Sequence, residues 1–62
     1  MPKTYFEKCE QPDGSFIGRI YRLRVENPPT VVVEPGGLLV EFQGTEAEVS
    51  ALLEAETKKL EA

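Results

Sequence analysis

Two runs of alternating residues flank the first break in the chain. From Thr4 to Glu10 and from Phe16 to Val25, aromatic, β-branched and charged positions follow the two-residue period of a strand, which predicts strands over 3–10 and 16–25. Between them Gln11-Pro12-Asp13-Gly14 has the composition of a tight turn. Proline presets φ, aspartate bonds the local backbone, and glycine accepts a left-handed conformation. A type I turn closed by a bulge at Gly14 sets Gln11 opposite Ser15, Cys9 opposite Ile17, Glu7 opposite Arg19 and Tyr5 opposite Tyr21. Alternation then gathers the last three pairs with Leu23 and Val25 on one face. Phe6, opposite Ile20, falls on the other with Thr4, Lys8, Phe16, Arg22 and Arg24. Gly18 lies inside the second strand, where a glycine often marks a bulge that would exchange the two faces.

Asn27-Pro28-Pro29 ends the second strand, because consecutive prolines supply no ladder donors. Thr30-Val31-Val32-Val33-Glu34 and Leu38-Leu39-Val40-Glu41-Phe42-Gln43 follow, separated by Pro35-Gly36-Gly37. Proline followed by glycine is turn chemistry, so the pattern predicts a second hairpin, with strands over 30–34 and 38–43. Both segments are apolar on both sides, as in strands covered on each face. After Gly44, the run Thr45-Glu46-Ala47-Glu48 is a capping box that opens a helix over 46–60, with Lys58 and Lys59 in the last turn. Val49, Leu52, Leu53 and Leu60 gather into one apolar stripe, with Glu56 inside it, and Ala47, Ala51 and Ala55 occupy the opposite side.

The expected architecture is a single α+β domain over 1–62: a four-stranded, mostly antiparallel sheet of two β-hairpins, with one C-terminal helix on one face. The chain supplies no cover for the second face. With 62 residues, a monomer hides only about 60% of the surface of its unfolded chain, and small domains with that balance rely on disulfides, metals or self-association. Cys9 has no partner in the chain, and there is no His, so self-association remains and a homodimer is expected.

Charge adds an asymmetry. The net charge is −4, yet residues 1–25 carry Lys3, Lys8, Arg19, Arg22 and Arg24 against Glu7, Glu10 and Asp13, a balance of +2, whereas residues 26–62 balance at −6. A lone cysteine fits a reducing cytoplasm, no uncharged stretch reaches the length of a membrane span, and no membrane association is expected.

Candidate chemistry is sparse. One Asp in a turn, one Cys and no His leave no triad, acid–base dyad or metal-ligand spacing, so neither catalysis nor a cofactor is expected. The one constellation of note is the even-numbered face of the first hairpin. There Phe6, Phe16 and Ile20 are interleaved with Lys8, Arg22 and Arg24, and Phe6, Phe16, Ile20, Arg22 and Arg24 form the expected interaction surface. Aromatics rimmed by arginine are what protein interfaces select, which points to a small interaction module: a regulator, inhibitor or accessory subunit. The alternative is a single-stranded nucleic-acid binder that stacks bases on Phe6 and Phe16 and neutralises phosphates with Lys8, Arg22 and Arg24; the net negative charge opposes it. A third idea is a reactive thiol at Cys9, with Lys8 adjacent and Arg19 across the hairpin.

Overall fold

The computed structural model describes residues 3–61. Strand β1 (Thr4–Glu10), β2 (Phe16–Val25) and β3 (Val31–Gly44) are followed by helix α1 (Glu46–Glu61). The strands form one antiparallel sheet in the order β1-β2-β3.

The first hairpin adopts the expected register, from Thr4 opposite Arg22 to Glu10 opposite Phe16 without interruption. Its turn is set by Gly14 at φ +88°. The Gly14 N–H donates to Gln11 O at 2.9 Å, and the Gln11 N–H donates to Ser15 O at 2.8 Å. Asp13 fixes the turn from within, accepting from the Ser15 hydroxyl at 2.6 Å and the Ser15 N–H at 2.9 Å. Those two donors hold the Asp13 carboxyl below its ordinary range.

The second hairpin does not form, and the sheet has three strands where four were expected. Residues 31–34 and 38–43 are parts of one long strand, β3. The reason lies in β2. Its ten residues are long enough to pair with both segments, Leu23 to Val25 with Val33 to Val31 and Phe16 to Tyr21 with Gly44 to Leu38. Pro35-Gly36-Gly37 therefore makes a bulge in place of a reversal. Between the pairs Tyr21 with Leu38 and Leu23 with Val33, β2 passes only Arg22 while β3 passes Glu34, Pro35, Gly36 and Gly37. Gly36 takes the left-handed position at φ +71°. Pro35 is tolerated because β3 is an edge strand, where a missing N–H leaves no ladder bond unmade. The true reversal between β2 and β3 is the Asn27-Pro28-Pro29 segment, with Asn27 at φ +50° and a cis bond between Pro28 and Pro29. It is closed by Glu26 N–H to Thr30 O at 2.9 Å.

Helix α1 starts on the capping box. The Glu48 N–H donates to Thr45 Oγ1 at 3.2 Å, and the Thr45 N–H donates to Glu48 Oε1 at 3.0 Å. The helix lies across the even-numbered face of the sheet. Ile20, Val49 and Leu53 form the buried core, and Phe16, Val40 and Phe42 pack around it. Leu52 and Leu60, at the margins of the apolar stripe, stay partly exposed, as do Ala47, Ala51 and Ala55 opposite. Gly18 makes no bulge. It is the bare spot on which the helix rests, flanked by Phe42, Val49 and Leu53.

Candidate functional site

The helix covers one side of the sheet, and the odd-numbered residues of β1 and β2 form rows across the other, continued on β3 by Val31, Val33, Glu41 and Gln43 and, because the register shifts by one residue at Leu39, by Leu38. The central row is ionic. Arg19 Nε donates to Glu41 Oε2 at 2.5 Å, and Arg19 Nη1 reaches Glu7 Oε1 at 3.4 Å, so one guanidinium on the middle strand serves a carboxylate on each edge strand. The bond to Glu41 holds the Arg19 charge above the usual arginine range. The next row is aromatic. Tyr5 and Tyr21 stack with ring centroids 6.3 Å apart at 28°, opposite Leu38 on β3. The Tyr21 hydroxyl donates to Glu7 Oε1 at 2.9 Å, which ties the aromatic row to the ionic one and raises the Tyr21 pKa. Further along, Leu23 faces Val33 and Val25 faces Val31.

Tyr5 and Leu38 are each 47% exposed, and Val25 and Val33 each 44%. Large apolar side chains on three successive rows are thus left in water, on a face that no described element covers. The ionic row forms the polar border of this patch.

The residues picked out from the sequence share the opposite face, but the helix divides them. Ile20 is fully buried beneath α1, and Phe16 packs against the same core with the Lys8 ammonium 5.6 Å from its ring centre. Phe6, 52% exposed, stays outside at the β1 edge. Arg22 lies 3.9 Å from Glu34, and Arg24 bonds Glu26 at 2.8 Å, so each arginine has a carboxylate of its own. The open aromatic platform that base stacking needs is therefore not presented by this face, since half of it is core. Cys9, half-buried, lies in the row with Ile17 and Gln43 on the bare face, whereas Lys8 points to the helix side.

Sequence reasoning missed Leu38, Val33 and Glu41 as members of the bare face, because a reversal at Pro35 would have put them elsewhere. The signal for the covered side was present in Gly18. A glycine between Phe16 and Ile20 in a central strand marks where another element comes close.

Among the described residues, no three of Cys, Asp and Glu converge as a metal ion would require, and no helix is long and apolar enough to cross a membrane. Compared with family models, with curated proteins and with solved structures, the chain matches none.

Proposed function

We propose that the chain is a small non-catalytic protein-interaction module that works as a homo-oligomer through the bare face of its sheet. The observation that carries this reading is the apolar patch of Tyr5, Leu38, Val33 and Val25, left exposed on the side away from the helix. Two further features support it. Only Ile20, Val49 and Leu53 are buried among the large apolar side chains described, a small core for a chain without an internal disulfide. The patch also has the anatomy of an interface, apolar in its middle and bordered by the paired charges of Glu7, Arg19 and Glu41. Two copies stacked face to face, with sheets about 10 Å apart, would bury these rows against each other. A cytoplasmic location goes with this reading, since a reducing compartment keeps the single thiol of Cys9 free.

The experiment is light scattering after size exclusion, at low and high salt, on the wild type and on Leu38→Asp. A dimer that survives high salt in the wild type and shifts to monomer in Leu38→Asp supports the reading. A wild-type monomer at about 100 µM, with no dimer at any salt, overturns it.

A further inference from the structure

A second surface lies at the opposite side of the sheet, between the free edge of β1 and the helix. It is a groove of about 510 Å³, with Phe6 and Leu53 as apolar walls and Lys8, Glu54, Thr57 and Lys58 around them. All its lining residues belong to β1 and α1, so it opens at the β1 edge. Two bridges bracket it, one from the Lys8 ammonium to Ser50 Oγ at 3.1 Å, the other from the Thr4 hydroxyl to Glu61.

The β1 edge beside this groove is ready to pair. Lys3 O accepts from the Leu23 N–H at 2.9 Å, and the Gln11 N–H donates to Ser15 O, so odd-numbered residues of β1 turn their backbone groups toward β2. The N–H and C=O groups of Thr4, Phe6, Lys8 and Glu10 therefore point outward, away from the sheet. Phe6 and Lys8 thus offer a free backbone on the edge and side chains that line the groove.

The geometry points to the capture of an extended acidic peptide segment by strand addition to β1. The added strand runs antiparallel, and the residues opposite Lys8 and Phe6 direct their side chains to the helix side. An apolar side chain opposite Phe6 fills the groove. Charge selects its neighbour. Every other cation of the strands and helix, namely Arg19, Arg22, Arg24, Lys58 and Lys59, lies within 4.0 Å of a carboxylate, whereas Lys8 has only the Ser50 hydroxyl and the Phe16 ring among the described residues. A carboxylate opposite Lys8 supplies the missing partner. In chain direction the preferred segment reads acidic, any residue, apolar. A second copy of the chain fits less well. The two-fold registers of β1 with the longest overlap, centred on Phe6, Glu7 or Lys8, set Lys8 against Thr4, set Glu7 against Glu7, or set Lys8 against Lys8.

The test uses fluorescence anisotropy with a labelled heptapeptide, Ser-Thr-Glu-Thr-Val-Thr-Ser, and a control carrying Lys in place of Glu. The protein is the full chain, both wild type and Leu38→Asp, so that failure of the bare-face reading leaves this measurement standing. Saturable binding of the Glu peptide is expected, weakened about tenfold in Lys8→Glu, which in turn prefers the Lys peptide. Circular dichroism confirms that the variant remains folded. N-methylation of the peptide's Glu, which removes the N–H that Lys8 O accepts, is expected to abolish binding. No saturation up to about 1 mM, or binding indifferent to both the charge exchange and N-methylation, overturns the proposal. So does a dimer that persists in Leu38→Asp and is lost when Lys8→Glu is added, since the edge then belongs to a second copy.

Discussion

Gly18 and Phe42 stand opposite each other on β2 and β3, and a Cβ built on Gly18 would lie 2.6 Å from Phe42 Cε2. The same carbon would meet Val49 Cγ1 at 2.9 Å and Leu53 Cδ2 at 3.2 Å. The helix therefore sits directly on the sheet backbone at this point, and the glycine sets how closely the two layers approach. Gly18→Ala is expected to destabilise the fold by about 1–3 kcal/mol, the usual cost of overpacking. Urea denaturation measures it. Unchanged stability would mean that the helix can lift from Gly18 without cost.

The capping box makes a prediction with two parts. Thr45→Ala removes the acceptor for the Glu48 N–H and is expected to cost about 1 kcal/mol. Glu48 itself is held ionised below its ordinary pKa, first by the Thr45 N–H and then by the Thr45 hydroxyl. A lowered folded-state pKa means that this contribution is complete above the ordinary glutamate range and is lost as pH falls through the folded value. Stability measured across that acid window is expected to fall less steeply in Glu48→Gln than in the wild type. Equal slopes would show that Glu48 does not contribute to the acid dependence.

How far the sequence reaches is seen by comparing the two glycine-bearing breaks. Pro12-Asp13-Gly14 was legible, because a turn closed by a bulge fixes the register of both flanking strands by local chemistry alone, and the pairs from Tyr5 with Tyr21 to Cys9 with Ile17 follow. Pro35-Gly36-Gly37 was not, since the same residue types serve a reversal and a bulge. What decides between them is tertiary: a ten-residue β2 that pairs with β3 on both sides of the break, with Val31 to Val33 before it and with residues from Leu38 to Gly44 after it. The capping box was likewise local and readable. Which sheet face the helix would take was not a local question, and Phe16 and Ile20 went beneath it while Tyr5 and Leu38 stayed in water.

Gly36 carries the bulge at φ +71°, with open space where a Cβ would be. No clash accompanies a substitution there, so Gly36→Ala isolates the backbone term. It is expected to cost about 1 kcal/mol, the penalty for a left-handed L-residue. The measurement is thermal unfolding of Gly36→Ala beside Gly36→Asn, because asparagine tolerates that conformation better. Equal melting temperatures for the two variants and the wild type would mean that the bulge relaxes to a different geometry.

Tyr21 offers a probe of the bare face itself. Its hydroxyl donates to Glu7 Oε1, and that bond, followed by burial and the Glu7 charge, raises its pKa above the ordinary phenol value. Because the folded-state pKa is raised, this contribution is complete below the ordinary tyrosine range and is lost as pH climbs through the folded value. In a Tyr5→Phe background, Tyr21 is the remaining tyrosine, and phenolate absorbance follows it alone. Its midpoint is expected to lie above that of a free tyrosine and to move down when Glu7→Ala removes the acceptor. Arg19 keeps its bond to Glu41 in that variant, so the ionic row is only half dismantled and the fold is expected to persist. A midpoint that ignores Glu7 would separate the aromatic row from the ionic one, and the border of the apolar patch would then have to be redrawn along Arg19 and Glu41.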